Sequence, residues 1–476
     1  MKRRSSRSGF TLVELTVALV AGLIVAMGIV GLSHEATATF NEEVRNSAAE
    51  SGLRTAVDRL RADLQRAGYM STGNIMSDNM IATPAGQSNV WGIGANMHGL
   101  LQLAAIQLTE NGSVTNNPGI ATLSAAQSPA LAPDLLLIGG NMTCAEQFDV
   151  QAVLPPAGNC QQILLSPVSP AIYRVATAGL ANIPLASAEL NNAFAPVVGN
   201  GATAQFMVRL LDDTGHSQYL ATCQQADVAG ITAGGQPYVW VDAINTKVRT
   251  ALDTGGIGGI SGYAAGRAWV NPVQVVRWEI MSTTEEATNQ KQFLNGLGNV
   301  VQGTQVDPNK FDLVRSYVDA LGHTIYQTSE VIAEYAVDLD FAFTVDTTVY
   351  MPAGTTTPNL TLTPTFVSYA FDDVADNTTW GAPLGAATPP ASPPANQGPQ
   401  RIRSVRARIV TRTALPDRVA NIPVVSQYST EEFMYRYCMQ SGGCGAGANT
   451  GNLPWFARAR TITTEVSLPN NSAGIY

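Results

Sequence analysis

The sequence predicts an α+β chain: one very long N-terminal helix packed on an antiparallel β-sheet, followed by a large β-rich extension. Three observations carry the prediction. A basic leader, Met1 to Gly9, meets an apolar run from Phe10 to Leu32 that holds a single charge, Glu14. Helical periodicity then continues to about Gly68 in an amphipathic form. The 408 residues after Gly68 are rich in Gly, Ala, Thr, Asn and Pro and break into short β-like runs.

The leader carries Lys2, Arg3, Arg4 and Arg7 and no acid, so the positive-inside rule keeps it on the cytoplasmic side. The apolar run is long enough to span a bilayer. A secretory signal peptide is cut after its apolar stretch, at small residues; here the small residues, Ser8-Gly9, precede it. Cutting at Gly9-Phe10 leaves the apolar helix on the mature chain. Glu14 is costly in hydrocarbon and calls for a partner. Thr11 and Thr16 are read as bonding back to helix carbonyls.

Beyond Leu32, Ala36, Phe40, Val44, Ala48, Leu53, Val57, Leu60, Leu64 and Ala67 form one apolar stripe among charged residues, with Glu50 and Arg54 spaced to pair. A helix from Phe10 to about Gly68 is roughly 90 Å long at 1.5 Å per residue, more than an ordinary globular domain needs. Gly28 and Gly31 lie within the apolar half and would permit local melting there.

Strands are predicted at Asp134 to Ile138, Gln162 to Leu165, Gln205 to Leu211, Tyr238 to Val241, Val273 to Ile280, Phe311 to Tyr317 and Val337 to Val345, then Arg401 to Thr413 and Thr461 to Leu468. The division this suggests is leader 1–9, apolar helix 10–32, amphipathic half 33–68, β-rich domain with a long insertion 69–345, Thr/Pro-rich linker 346–400 around Thr388 to Pro394, and C-terminal strands with a cysteine loop 401–476.

The chain is acidic and charge-poor. Losing the leader takes its formal net charge from −9 to −13, which speaks against nucleic acid as a partner. Five cysteines suit an oxidising compartment. Two bridges and a spare thiol allow fifteen pairings; pairing nearest neighbours joins Cys438 to Cys444 and Cys144 to Cys160 and leaves Cys223 over. No CxxC occurs, and His34, His98, His216 and His323 lie apart, so neither a metal nor a cofactor is expected. Asp372, Asp373 and Asp376 are read as a solvated acidic turn over the rarer calcium loop. There is no GxSxG, HExxH or Walker loop, and Gly255 to Gly259 lacks the lysine of a phosphate cradle. An enzyme is not expected.

Gly9-Phe10-Thr11-Leu12-Val13-Glu14-Leu15 closely resembles the class III signal of type IV pilins and type II secretion pseudopilins. The resemblance implies a pilin-like fold and a prepilin peptidase that cuts after Gly9 and methylates the new terminus at Phe10. It implies that Glu14 neutralises the Phe10 ammonium of a neighbouring subunit, and that major and minor pilins are the partners. It also implies a single-pass inner-membrane protein with a periplasmic domain that later enters an extracellular pilus. Leu60 to Tyr69, Glu330 to Phe341 and Ile402 to Thr413 are similar to segments of PilW-type minor pilins, which points to a minor pilin that primes assembly or sits at the tip. The alternatives are a type II minor pseudopilin and a pilus-displayed adhesin or ligand-binding module.

Overall fold

The computed structural model describes residues 11–78, 80–81, 93–110, 133–176, 187–196, 204–213, 215–225, 227–246, 248, 268–282, 293–294, 300–301, 310–348, 363–371, 380, 397–415, 436–438 and 456–472. The fold is α+β, a long N-terminal helix followed by antiparallel sheets. Helix α1 runs Leu12–Gln65 without a break at Gly28 or Gly31. It stops where Arg66 turns its N–H back to the carbonyls of Asp63 and Leu64, and Gly68 follows with a positive φ of 71°.

The strands in order are β1 (Ile106–Thr109), β2 (Leu135–Gly140), β3 (Phe148–Val153), β4 (Cys160–Leu165), β5 (Met207–Asp212), β6 (Ser217–Ala221), β7 (Ala229–Ile231), β8 (Pro237–Asp242), β9 (Ala268–Ser282), β10 (Phe293–Leu294), β11 (Val300–Val301), β12 (Phe311–Val318), β13 (Thr324–Ala333), β14 (Ala336–Asp346), β15 (Phe366–Ser368), β16 (Ile402–Arg412), β17 (Arg436–Cys438) and β18 (Phe456–Ser467). Among the described residues they form a 13-stranded and a 5-stranded sheet.

The 15-residue β9 is the spine of the larger sheet. Trp278 stands between Arg315 of β12 and Leu136 of β2, and Val270 between Leu210 of β5 and Phe148 of β3. The Ala320 N–H donates to the Gln205 carbonyl at 2.6 Å, so β5 takes up the edge of β9 where β12 leaves it. The smaller sheet runs β15-β14-β16-β18-β17. It thus joins Ala336–Asp346 to strands that lie beyond the Thr/Pro-rich segment.

Asp134 ties the two sheets. Its N–H donates to the Leu339 carbonyl at 2.7 Å, and its carboxylate accepts the Phe341 N–H at 3.0 Å. Backbone groups of β14 that face neither β15 nor β16 are satisfied in this way.

The main core is the underside of α1. Leu53, Ala56, Val57, Leu60 and Leu64 pack with Leu136, Ile138, Trp278 and Ile280 from one sheet and Leu339, Phe341, Ile402 and Ile409 from the other. A second core, around Phe148, Ile163, Val239 and Phe194, is closed by the short helices Pro170–Ala176 and Ser187–Phe194. This distal lobe lies past the end of α1. Leu136 and Ile138 of β2 lie in the core under α1, and at Gly140 an added Cβ would meet the Arg66 carbonyl at 2.3 Å, so the helix end and β2 can approach only over glycine. β3 then carries on along β9 beyond that point.

The apolar stripe of α1 is covered over only part of its length. Burial begins at Leu53, whereas Phe40 is 65% and Val44 50% exposed. The apolar segment from Leu12 to Leu32 is exposed throughout. The expected coverage of the amphipathic half is therefore confined to its last turns, because the two sheets meet the helix only there.

Candidate functional site

Gly9 and Phe10 lie outside the described residues. The first described residue, Thr11, is the N-cap of α1 in an extended conformation. Its hydroxyl accepts the Glu14 N–H at 3.3 Å, and the Glu14 carboxylate accepts both the Thr11 N–H and the Thr11 hydroxyl at 3.0 Å. This capping box satisfies backbone donors that the first helical turn leaves open. Thr16 bonds back to the Val13 carbonyl at 2.9 Å, as expected. Thr11 does not: as N-cap its side chain faces the open N–H groups, not a carbonyl of a preceding turn. Glu14 therefore projects from the first turn of an exposed apolar helix with its charge held beside that helix's N-terminus.

By length and composition α1 can cross a membrane, with a mean hydropathy of 2.6 over its most apolar window.

The other end of α1 is held by a cluster that sequence reasoning missed. Asp63, one of the charged residues between the stripe positions Leu60 and Leu64, is buried. Its Oδ2 accepts Arg315 Nε at 2.6 Å and Trp278 Nε1 at 3.0 Å, and its Oδ1 accepts Arg315 Nη2 at 3.3 Å. Burial works against the Arg315 charge, but the Asp63 carboxylate more than offsets it, so the guanidinium titrates above its ordinary range. The only signal in the sequence is that Asp63 falls on the apolar stripe, three residues after Leu60.

The three segments singled out beyond the leader converge on this seat. Leu60 to Tyr69 supplies Asp63 and the helix end. Glu330 to Phe341 is the end of β13, a turn at Tyr335 with a φ of 55°, and the start of β14. Ile402 to Thr413 is β16 and its exit. Arg59 reaches Glu330 at 3.7 Å, the Arg412 N–H donates to the Tyr335 carbonyl at 2.9 Å, and the Arg412 guanidinium lies 5.0 Å from the Tyr335 ring centre.

Beside that turn, burial pushes the Asp312 carboxyl up to about 6, even though Lys310 lies 3.5 Å away and the Tyr335 N–H donates to it at 3.0 Å.

The cysteines differ from expectation. Cys160 is bridged to Cys223, their Cα atoms 5.7 Å apart, and Cys144 is free. Cys144 precedes β3 while Cys160 opens β4 after the hairpin turn, so the length of a six-residue strand, about 20 Å, separates them. Cys223 is brought to Cys160 across β8: its N–H donates to the Trp240 carbonyl at 3.0 Å, and Cys160 pairs with Asp242. Burial raises the Cys144 thiol above its ordinary range. The Cys438–Cys444 pairing falls outside the described residues, since only the backbone of Cys438, closing β17, is described. Asp372, Asp373, Asp376 and Gly255 to Gly259 also lie outside them. Among the described residues no three His, Cys, Asp or Glu side chains gather as a metal site would require.

Residues 4–30 match the family described as the prokaryotic N-terminal methylation motif. No curated protein and no solved structure gives a match to the chain. The matched residues contain the Gly9-Phe10 junction, Glu14 and most of the exposed apolar half of α1. The chain thus carries a prokaryotic N-terminal methylation motif at the head of a long apolar helix, which supports a type IV pilin-like prepilin of a pilus or pseudopilus.

Proposed function

We propose that the chain is a minor pilin of the type IV pilus, a structural subunit and not an enzyme, acting in the priming of assembly or at the tip. The observation that carries the reading is the convergence of three PilW-like segments on the seat of α1, with Asp63 bound to Arg315 at its centre. A head fixed rigidly to one end of a helix whose other end is bare suits a subunit that is drawn out of a membrane into a helical bundle. In this reading prepilin peptidase cuts at Gly9-Phe10 in the inner membrane and methylates Phe10. Glu14 leaves its capping box with Thr11 to meet the ammonium of a neighbouring pilin. The head is periplasmic before assembly and extracellular after it.

The test is deletion of the gene, scored separately for surface pili and for type II secretion, with quantification of the mature chain in sheared filaments. Loss of pili, with the processed chain present at a small fraction of the main subunit, is the expected result. Normal piliation with failed secretion would reassign the chain to the pseudopilins, and an intact leader in filaments would overturn both readings.

A further inference from the structure

On β4 and β8 the distal lobe presents a sheet face on which aromatic rings, amides and aliphatic groups alternate, with Asp242 as its one charged group. Alternate residues of β4 and β8 point inward: Ile163, Leu165, Val239 and Val241 are buried against the two short helices. Their neighbours, Gln162, Leu164, Tyr238 and Trp240, share the opposite face and are partly exposed. The pairing sets Gln162 beside Trp240 and Leu164 beside Tyr238. On the far side Leu154, exposed, lies against Gln162 through a 2.9 Å bond from its N–H to the Gln162 carbonyl.

The aromatic pair is set in place by the fold. The Tyr238 and Trp240 ring centres are 6.2 Å apart with their planes at 70°. The Tyr238 ring lies across Gly230, where an added Cβ would stand 2.9 Å from its Oη, so a side chain at that position would push the ring aside. The Cys160–Cys223 bridge fastens the strands beside Trp240. The Trp240 indole N–H, the Tyr238 hydroxyl and the Gln162 amide make no hydrogen bond to the described residues. No charged residue occurs from Val150 to Tyr173 or from Val228 to Val241. The nearest carboxylate in these strands, Asp242, is already taken by the Ile244 and Asn245 N–H groups and the Asn245 and Gln205 amides.

We propose that this face binds a neutral saccharide chain. Partly exposed rings offer stacking surface to the C–H faces of sugars, and unused amide, indole and phenol groups offer hydrogen bonds to hydroxyls. Two rings at 70° make a corner, which receives a puckered sugar ring better than a flat aromatic ligand. With no Lys or Arg in β4 or β8 and one carboxylate, Asp242, the face disfavours sialylated, sulfated or uronic-acid chains, for which a site would need a cation. The face belongs to the lobe beyond the end of α1, where a helix held in a membrane or filament does not obstruct it.

The proposal does not rest on the minor-pilin reading, because binding is measured on the purified chain before assembly. The full chain, solubilised in a detergent without a sugar headgroup, is titrated with maltohexaose, cellohexaose, chitohexaose and laminarihexaose and with an oligogalacturonate. Tryptophan fluorescence and calorimetry are the readouts. At least one neutral oligosaccharide should bind, Trp240→Ala should weaken it about tenfold or more, and Trp240→Phe should retain it within about threefold. Gly230→Val, which displaces Tyr238, should also weaken it, with the Cys160–Cys223 bridge and the melting temperature checked in each variant. The proposal is overturned if no neutral oligosaccharide binds, if only the acidic one does, or if Trp240→Ala binds as wild type. It is also overturned if Trp240→Ala abolishes self-association of the chain instead, which would make the face a protein interface.

Discussion

Asp63 and Arg315, 252 residues apart in sequence, form a buried pair in which the carboxylate takes the Arg315 Nε at 2.6 Å. One partner lies in the last turns of the helix and the other in the middle of the larger sheet, so the pair fixes where the helix stops sliding and which face it turns inward. A buried pair of this kind costs desolvation to make and more to break, which suits a device for orientation.

Asp63→Ala should therefore destabilise the head by about 3–5 kcal/mol, because Arg315 is left buried and uncompensated while Trp278 Nε1 loses its acceptor. The double variant Asp63→Leu with Arg315→Met should recover much of the loss. Urea unfolding followed by near-ultraviolet circular dichroism would show this, and equal stability of the single and double variants would remove the pair from its central place.

Asp312 gives a dependence on pH. Its carboxyl is pushed up to about 6 from an ordinary aspartate value, so the folded state favours the protonated form. That contribution is fully present below about pH 4 and is lost as the pH rises through 6, amounting to about 3 kcal/mol. Asp312→Asn keeps an oxygen for the Tyr335 N–H and removes the buried charge. Its stability relative to wild type should rise between pH 4 and 7, and parallel curves would contradict the assignment.

Non-reducing peptide mapping should recover Cys160 linked to Cys223 and Cys144 as a thiol that alkylates slowly, being half-buried with a raised pKa. Breaking the bridge with Cys160→Ser should cost up to about 4 kcal/mol from its 63-residue span and should loosen the distal lobe before the helix seat. A Cys144–Cys160 peptide would refute the strand pairing of β3, β4 and β8.

Glu14→Ala should leave membrane insertion and cleavage largely intact and lower incorporation into filaments, since only a neighbour's terminal ammonium then lacks its counter-charge. Gly9→Val should block cleavage. Mass spectrometry of membrane and filament fractions tests both, and wild-type incorporation of Glu14→Ala would reduce that carboxylate to its capping role with Thr11.

Local pattern made the long helix and about half of the described strands legible. Phe311 to Tyr317 was expected as a strand and is Phe311–Val318; Val337 to Val345 is Ala336–Asp346; and the helix end fell within three residues of its expected place. These elements carry their own periodicity and their own turn residues. The helices Pro170–Ala176 and Ser187–Phe194 escaped notice because each is too short for periodicity to stand out. The pairing of Cys160 with Cys223 and of Asp63 with Arg315 was not legible either, since both depend on which strands lie side by side across 63 and 252 residues. The N-terminal methylation motif, by contrast, is a local feature of residues 4–30 and depends on no long-range pairing.

The uncovered half of α1 bears on how the molecule can travel. Leu12, Leu15, Leu19, Leu23, Ile24, Met27, Ile29 and Leu32 are all largely exposed, and none of the described residues of the head folds back over them. At about 1.5–3 kcal/mol for each such side chain, passage of the isolated chain into water would cost well over 10 kcal/mol. For a chain inserted through α1, direct transfer to another apolar environment, helix against helix, avoids that cost. The exposed apolar half of α1 thus sets a free-energy barrier between a lipid-inserted chain and a free one in water.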